Sequence, residues 1–359
     1  MFQFVSTMSL LPTLSERISR ARAELRMGLA IGMDGWLVAA IETLRPDRLA
    51  ALRAAGEVAV TLTARRAETL KIRVYDGDLA RIEMPGAADL PWLRAVADPS
   101  ADLMTPMKGP FSSLRGGDTT PHLAAILLAK SAQLLPALVM VRADVPAELS
   151  RLSARPVIDA LAQEALLHPV AAARLPLEAS EQSRLHIFRP EDGAAEHYAV
   201  EIGQPRRDGT PLVRLHSACF TGDVLGSLKC DCGPQLHAAL AGMGALGEGV
   251  LLYLNQEGRG IGLANKMRAY GLQNQGFDTV EANHRLGFED DERDFRIGAA
   301  LLREMGFSRV RLMTNNPRKV AMLQSHGIEV VERVPLILPA NRFNRAYLAT
   351  KAEKSGHLL

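Results

Sequence analysis

The sequence predicts two domains, an N-terminal α+β domain and a C-terminal α/β domain. With 359 residues, the chain is about twice as long as a typical domain. Its second half alternates short apolar runs with helical stretches, a pattern that favours strand–helix–strand units and a largely parallel sheet. The composition changes between residues 142 and 183, where prolines interrupt an Ala/Leu-rich stretch. We therefore place the first domain at residues 1–145, a linker at 146–169 and the second domain at 170–359.

The first domain contains helical and strand-like patterns in turn. One helix is amphipathic and ends at a glycine, a second is longer and apolar, and three segments alternate or are continuously apolar as strands do. The predicted helices are 45–56 and 119–135, and the predicted strands are 57–62, 71–75 and 137–142.

The second domain is richer in local signals. Apolar runs of strand length are each followed by a turn and a helical stretch. The predicted strands are 249–255, 309–314 and 328–334, and the predicted helices are 263–273 and a stretch that ends near Gly327.

Composition and charge exclude several classes of protein. The 42 basic and 40 acidic residues leave a net charge of +2, too small for a bulk electrostatic clamp on nucleic acid. The most apolar stretch, 123–141, is interrupted by polar residues and a proline, so we expect no membrane span. Residues 1–11 lack the basic region and cleavage site of a signal peptide. We expect a cytoplasmic protein without nucleic-acid or membrane partners.

The three cysteines of the chain, Cys219, Cys230 and Cys232, fall within one short window. An odd, clustered set argues against a disulfide framework and for metal ligation, and zinc binds thiolates in tetrahedral geometry. Three protein ligands leave a fourth position for a water molecule, which is the catalytic arrangement. A closed structural site needs a fourth ligand, which His216 or His237 could supply.

Two segments have the features of anion sites. Glu257–Gly262 is a glycine-rich turn between a strand and a helix, although such turns also use glycine for geometry alone. In Thr314–Lys319, Asn316 and Pro317 predict a helix start whose free amides face one point, and the simpler interpretation is a well-capped helix. The charged run 289–294 is by itself typical of a solvated helix face.

These residues carry a family resemblance. The cysteine-containing segment 214–235 resembles the zinc segment of GTP cyclohydrolase II, and further matching motifs follow in the family's order. They are 255–263, 278–284, 291–295 and 314–319. The resemblance covers about residues 170–359, and several independent motifs make it specific.

The resemblance implies a zinc-dependent hydrolase acting on a cyclic amidine C–N bond. The family opens the imidazole ring of GTP and releases formate and pyrophosphate, giving 2,5-diamino-6-(5-phospho-ribosylamino)pyrimidin-4(3H)-one in the first step of riboflavin biosynthesis. The resemblance also implies one Zn²⁺ per chain on Cys219, Cys230 and Cys232, Mg²⁺ with the triphosphate, and a homodimer. The implied GTP contacts are Arg214, Leu215, His216, Ser217, Gln235, Glu257, Gly258, Arg259, Thr279, Thr314 and Lys319.

The resemblance also implies three catalytic residues. Tyr270 would lie near the zinc-bound water, Asp291 would accept a proton, and Arg293 would attack or stabilise the α-phosphate. A guanidinium is almost never neutral, so charge stabilisation is the simpler role for Arg293.

One position departs from the family pattern. Ala218 stands where the family usually carries glutamate. This keeps two alternatives open: a cyclohydrolase paralogue that acts on another ring or releases pyrophosphate only, and a nucleotide-binding regulator without catalysis.

The N-terminal domain resembles a degenerate 3,4-dihydroxy-2-butanone 4-phosphate synthase. The acidic motif of that enzyme is absent, and Met33–Glu42 occupies its place. Its Gly-His-Thr-Glu segment is replaced near Gly117–Thr120. Because a magnesium site needs carboxylates at its centre, we expect this domain to be non-catalytic, with a scaffolding or regulatory role.

Overall fold

The structure, a computed structural model, describes residues 10–345. Most of the segment 1–11, on which the signal-peptide prediction rests, lies outside the described residues. The chain divides into two compact units. Within the described range, unit 1 contains residues 10–163, 267–277 and 281–289, and unit 2 contains residues 164–266, 278–280 and 290–345. The first change of unit falls within the predicted linker 146–169.

Unit 1 is built on a six-stranded sheet with strand order β4-β3-β5-β2-β1-β6. Neighbouring strands pair antiparallel except β1 and β6, which are parallel. The strands are β1 (Ile31–Met33), β2 (Trp36–Ala40), β3 (Val58–Thr63), β4 (Leu79–Glu83), β5 (Ala137–Arg142) and β6 (Arg151–Leu152). The helices are α1 (Leu14–Arg26), α2 (Pro46–Ala55), α3 (Ala64–Thr69), α4 (Leu90–Ala97), α5 (Thr120–Ser131) and α6 (Ala154–Ala162).

The sheet of unit 1 is covered on both faces. Along β5, Leu138 and Met140 pack into one apolar cluster with α1, α5 and α6, whereas Val139 and Val141 pack into a second cluster with α2 and α4. A strand buried on both faces needs apolar residues at every position, not at alternate ones. This explains why the chain is continuously apolar here.

Unit 2 is built on a seven-stranded mixed sheet with strand order β13-β12-β10-β11-β9-β8-β7. The strands are β7 (Leu167–Arg174), β8 (Ser183–Pro190), β9 (His197–Ile202), β10 (Leu212–Ser217), β11 (Gly249–Leu254), β12 (Arg309–Met313) and β13 (Glu329–Val334). The remaining helices are α7 (Cys232–Leu246), α8 (Leu263–Asn274), α9 (Thr279–Arg285), α10 (Arg296–Glu304) and α11 (Pro317–Ser325). Helices α8 and α9 begin in unit 2 and continue in unit 1.

The two-domain α/β fold class is confirmed, but the expectation of a largely parallel sheet holds for four strands only. Strands β10 to β13 pair parallel, and helices connect them. Strands β7 to β9 pair antiparallel, because the connections between them are too short to cross over the sheet.

Most predicted elements are confirmed to within a few residues, and two are wrong. The predicted strand 71–75 forms no ladder: Ile72 is buried among exposed neighbours, which imitates strand alternation, and Lys71 has a φ of 60°. The charged run 289–294 is a loop and not a helix face, and its side chains are paired: Asp291 with Arg293, and Asp294 with Arg296 at the start of α10. Over the described range 10–345, no helix combines the length and the apolar character that a membrane crossing requires.

A buried ion pair in unit 1 joins Arg66, on α3, to Asp102. The Arg66 side chain is 1% exposed, and its two terminal nitrogens donate to the Asp102 carboxylate over 2.6 and 2.9 Å. Lys108 Nζ lies 2.8 Å from the same carboxylate. Arg285 Nη1 lies 3.7 Å from it, so three cations share one carboxylate.

We predict that Asp102→Ala destabilises unit 1 by about 3–5 kcal/mol, because it leaves a buried cation uncompensated. The control Asp47→Ala removes the exposed partner of Arg45 and is expected to cost less than about 1 kcal/mol. Urea unfolding followed by tryptophan fluorescence measures both, since the two tryptophans of the chain, Trp36 and Trp92, lie in unit 1. Equal free energies of unfolding for the two variants would contradict the prediction.

Candidate active site

The three cysteines of unit 2 converge on one point. Cys219 follows β10, Cys230 lies in a loop and Cys232 begins α7. Their sulfurs all lie within 4.8 Å of one another, and Cys219 Sγ and Cys230 Sγ are 3.7 Å apart. In a tetrahedral zinc–thiolate site, Zn–S bonds of about 2.3 Å place the sulfurs about 3.8 Å apart. The donor set and its spacing therefore fit a zinc ion.

Glycine makes this convergence possible. A Cβ atom on Gly222 would lie 2.8 Å from Cys230 Sγ and 3.0 Å from Cys219 Sγ, closer than real Cβ contacts. A Cβ atom on Gly233 would lie 2.3 Å from the carbonyl oxygen of Gly222. Only residues without a side chain allow the loop to fold against the sulfurs.

A lysine contacts the cluster at Cys219. Lys266 Nζ, on α8, lies 3.1 Å from Cys219 Sγ, 2.9 Å from Thr221 Oγ1 and 2.8 Å from Glu257 Oε1. Hydrogen bonds from Cys230 and Cys232, and then the Lys266 ammonium, lower the pKa of the Cys219 thiol far below its usual range. A thiolate is the form that binds metal, so the site is prepared for a cation.

Asp223 fixes the backbone of Cys219 and two neighbouring rings. Its Oδ2 atom accepts from the Cys219 N–H over 3.0 Å and from the Tyr253 hydroxyl over 2.9 Å. His216 Nε2 lies 3.1 Å from both of its carboxylate oxygens, and the His216 and Tyr253 rings stack. Burial lowers the pKa of His216, and burial with the nearby Asp223 charge raises the pKa of Tyr253.

Neither candidate histidine joins the three cysteines. His216 is bound to Asp223, and His237 is exposed on α7. Among the described residues 10–345, the one cluster of at least three metal-ligating groups consists of the three cysteines, without a histidine or carboxylate.

A second group of residues gathers cations around one aromatic ring. Arg293 and Lys319 each place their charge 4.7 Å from the centre of the Phe295 ring. Arg293 Nη1 lies 3.4 Å from Ser217 Oγ, and Lys319 Nζ donates to the Leu215 carbonyl oxygen over 2.9 Å. The structure thus brings together four of the predicted site residues at the carboxyl end of β10. Leu215 contributes its carbonyl, since its side chain lies in the core.

Asp291 is paired with Arg293. Their side chains form two hydrogen bonds of 2.6 and 2.7 Å. Burial alone would raise the pKa of Asp291, but the charges of Arg293 and Arg259 hold it below the usual value for aspartate. Asp291 is therefore a carboxylate at neutral pH.

Arg214 carries an orphaned donor. The residue is 7% exposed, and burial lowers its pKa to about 10. Its terminal nitrogens donate to the carbonyl oxygen of Met313 and to Gln235 Oε1, whereas the buried Nε has no partner in the described part of the chain. Gln235 donates in turn to Asp231. A buried N–H without an acceptor indicates a place that a ligand would complete.

The two sequence-predicted anion segments differ in structure. Thr314 Oγ1 accepts from the Asn316 N–H over 3.1 Å, and Asn316 caps α11 by accepting from Arg318 N over 3.0 Å, so the capped helix is present. In the glycine-rich turn, Gly258 and Arg259 have φ values of 64° and 60°. This turn holds the acidic loop: Arg259 Nη1 donates to the Asp290 carbonyl oxygen, and the Glu292 N–H donates to the Arg259 carbonyl oxygen.

Two further predicted site residues lie on the helices that the units share. Tyr270 is half-buried on the part of α8 that belongs to unit 1, and Thr279 is half-buried at the start of α9 in unit 2. Their roles stay predictions.

Sequence reasoning missed Lys266, Asp223 and Tyr253. A signal existed for Lys266, because a positive charge in the first turn of a helix opposes the helix dipole and needs a compensating anion. No signal distinguished Asp223 or Tyr253 from ordinary loop and strand residues.

In unit 1, the segment that replaces the acidic motif uses its carboxylates for structure. Asp34 Oδ2 accepts from the Ala154 N–H at the start of α6 over 2.8 Å. Glu42 accepts from the Leu135 N–H over 2.8 Å and from Arg268 over 2.9 Å. Neither carboxylate is left to organise a metal and a sugar phosphate.

Comparisons with known proteins decide the family. A sequence model of GTP cyclohydrolase II matches residues 168–335. The chain is 43% identical to GTP cyclohydrolase-2 of Azospirillum brasilense over 95% of this chain and 93% of that protein. The chain belongs to the GTP cyclohydrolase II family.

Another relative aligns with only part of this chain. Riboflavin biosynthesis protein RibBA of Bacillus cereus is 60% identical over 164 residues, which cover 46% of this chain and 41% of that protein. The chain therefore aligns with less than half of the length of RibBA. A crystal structure of RibBX, a two domain 3,4-dihydroxy-2-butanone 4-phosphate synthase from A. baumannii, aligns with 90% of this chain and 100% of that one, at 16% identity and a TM-score of 0.30.

We predict that Gly222→Ala weakens zinc binding by at least about tenfold, because the new Cβ atom displaces the sulfurs. The control is Gly242→Ala on α7, where a Cβ atom would make an ordinary 3.7 Å contact with Met313 Cε. Elemental analysis of the purified variants, together with titration by a competing chelator, measures the difference. Wild-type zinc affinity in Gly222→Ala would show that the loop does not constrain the sulfurs.

Proposed function

We propose that this chain opens the imidazole ring of GTP and releases formate and pyrophosphate, giving 2,5-diamino-6-(5-phospho-ribosylamino)pyrimidin-4(3H)-one as the first step of riboflavin biosynthesis. Membership of the GTP cyclohydrolase II family supports this proposal. The observation that carries it is the presence of three converging thiolates and a separate cation cluster in one unit. Ring opening requires a water nucleophile, and triphosphate binding requires clustered positive charge.

Cys219, Cys230 and Cys232 would hold one Zn²⁺ ion. Zinc in an open site lowers the pKa of a bound water and polarises the atom that is attacked. The chain's own contribution is to keep the Cys219 sulfur ionised, through Lys266, and to fix the Cys219 backbone, through Asp223.

Charged residues of unit 2 would bind and activate the phosphates. Lys319 and Arg293 share the Phe295 ring, which orients both cations without neutralising them. The two hydrogen bonds from Arg293 to the Asp291 carboxylate favour the protonated guanidinium. This supports charge stabilisation at the α-phosphate, and not nucleophilic attack, as the role of Arg293. Asp291, ionised at neutral pH, would accept the proton.

The remaining assignments follow from the family. The GTP contacts would include Arg214, whose unpartnered Nε supports a ligand there. Tyr270 would lie near the attacking water. We also propose Mg²⁺ with the triphosphate, a homodimer, a cytoplasmic location, and no nucleic-acid or membrane partner. The N-terminal domain, 1–145, would be non-catalytic, the linker would span 146–169, and 170–359 would carry the reaction.

Ala218 favours one alternative. Its backbone N–H donates to the Leu254 carbonyl oxygen over 2.7 Å, so the position is fixed, but the methyl group offers no carboxylate. A paralogue that acts on another ring or stops at pyrophosphate release would fit this loss. A regulator without catalysis is less well supported, because Asp291 and Arg293 keep the paired geometry of a working site.

We predict that the protein with GTP, Mg²⁺ and Zn²⁺ releases formate and pyrophosphate in equal amounts. In Arg293→Ala, pyrophosphate release should fall by on the order of a hundredfold, because charge at the phosphorus is no longer stabilised. In Tyr270→Phe, formate release should collapse while some pyrophosphate is still released. Timing both products in one reaction measures this.

The matched control is Arg296→Ala, which removes a neighbouring arginine that is paired with Asp294. It should retain wild-type rates to within about threefold. Pyrophosphate without formate from the wild type would identify the paralogue. If neither product is released, the nucleotide-binding regulator without catalysis is the remaining alternative.

A further inference from the structure

We propose that unit 1 contains a binding site for a small organic phosphate, a molecule with a phosphate group and an apolar or aromatic body. The site is a cavity of about 780 Å³ whose lining residues all belong to unit 1. Cavities of roughly 300–1,000 Å³ are the usual size for small-molecule ligands. The proposal concerns binding within this unit and is independent of the cyclohydrolase reaction.

The cavity differs from the place where the synthase motifs were lost. Neither segment 33–42 nor segment 117–120 contributes a residue to its lining. The lining comes from the end of α3 and the segment after it, from residues between 102 and 115, and from Arg285 on α9. The absence of the acidic motif therefore does not remove this site.

Positive charge dominates the lining. Among the described residues that form it, Asp102 supplies the one carboxylate. Burial alone would raise the pKa of Asp102, but the charges of Arg66 and Lys108 hold it below its usual value. This ionised group is already shared by three cations, so it cannot offset the remaining charge. The cations of the lining are Lys71, Arg73, Lys108, Arg115 and Arg285.

Two arginines of the lining meet at one neutral side chain. Arg115 Nη2 donates to the Tyr75 hydroxyl over 2.7 Å, and its guanidinium carbon lies 4.2 Å from the centre of the Tyr75 ring. A hydrogen bond to Tyr75 also raises the pKa of Arg73. Across residues 10–345, Lys71, Arg73 and Arg115 form no ion pair. The phenol therefore orients two guanidinium groups without neutralising them, which suits a bound phosphate.

The third of these cations occupies a backbone position that favours glycine. Lys71 follows α3 with a φ of 60°, and the adjacent Ile72 N–H donates to the Ala67 carbonyl oxygen over 2.9 Å. This is the left-handed position that ends many helices. A glycine would serve the helix end better than a lysine does. The side-chain charge and the stability of the fold can therefore be separated here by mutation.

Apolar side chains supply much of the remaining lining. Leu103 and Met107 are 62% and 90% exposed, and Phe111 in the same segment is half-buried. Large apolar side chains exposed beside a cavity are typical of a binding surface. Methionine adapts to irregular shapes and makes favourable contacts with aromatic rings. The lining therefore suits a phosphate with an apolar or aromatic body better than inorganic phosphate or a sugar phosphate.

A tryptophan next to the cavity provides a direct readout. Trp92 Nε1 donates to the Lys108 carbonyl oxygen over 3.0 Å, and its ring centre lies 6.3 Å from that of Phe111. Both partners line the cavity. The two tryptophans of the chain lie in unit 1, so their fluorescence reports binding in this unit and not at the phosphate site proposed for unit 2.

The experiment titrates the full chain with phenyl phosphate, inorganic phosphate and ribose 5-phosphate at low ionic strength. Phenyl phosphate should change the tryptophan fluorescence until saturation. It should bind at least about fivefold more tightly than the other two probes, because its ring adds an apolar contact.

Two variants remove charge from the cavity. Arg115→Gln and Lys71→Gly should each weaken phenyl phosphate binding by about tenfold or more, since each removes a charge-assisted contact. Lys71→Gly should do so without lowering the urea midpoint of unfolding, because glycine suits a φ of 60°. The control Arg45→Gln removes an exposed positive charge of unit 1 outside the cavity and should bind as the wild type does, to within about twofold.

Equilibrium dialysis with phenyl phosphate gives a count that does not depend on fluorescence. The double variant Arg115→Gln with Lys71→Gly should bind one molecule fewer per chain than the wild type. An unchanged count, or unchanged affinity in both single variants, would overturn the proposal. An equal loss in Arg45→Gln would also overturn it, because it would indicate general attraction to a basic surface. Equal affinity for phenyl phosphate and ribose 5-phosphate would overturn the proposed ligand class.

Discussion

Three sulfur atoms from a strand end, a loop and a helix start must meet within 4.8 Å, and the local structure of unit 2 follows from this constraint. Two glycines remove the side chains that would keep the loop away from the sulfurs. Asp223 fixes the backbone of Cys219 and, through His216 and Tyr253, ties the loop to the sheet. Without the neutralising Lys266, converging thiolates would repel one another.

Unit 2 has negatively charged groups around the cysteine sulfurs and positively charged groups around Phe295. Around the sulfurs, negative groups outnumber the single lysine, which suits a divalent cation. Around Phe295, two cations lie near one aromatic ring, which suits an anion, and the Asp291 carboxylate keeps one of them oriented. A substrate that carries both a reactive ring and a phosphate chain can use both places, whereas a plain phosphate ligand would leave the thiolates unexplained.

Local sequence patterns predicted the parts of this molecule that depend on local physics. The apolar strands β5 and β11, the capped helix α11 and the grouping of the three cysteines could be predicted, because each depends on residues that are close in the chain. The antiparallel half of the second sheet could not, since strand direction depends on connection lengths that no periodicity encodes. The false strand 71–75 has strand-like alternation without a pairing partner, and only the tertiary structure reveals that. The contacts of Lys266 with Cys219 and of Arg268 with Glu42 join residues that are distant in sequence, so spacing could not have identified either pair.

We propose that three thiolates hold a metal ion with a position left open for water. X-ray absorption at the zinc edge of the zinc-loaded protein tests this proposal most directly. We expect three sulfur neighbours at about 2.3 Å and one or two oxygen neighbours at about 2.0–2.2 Å, without the outer-shell scattering of an imidazole ring. Four sulfur neighbours, or three sulfurs and a histidine nitrogen, would contradict it.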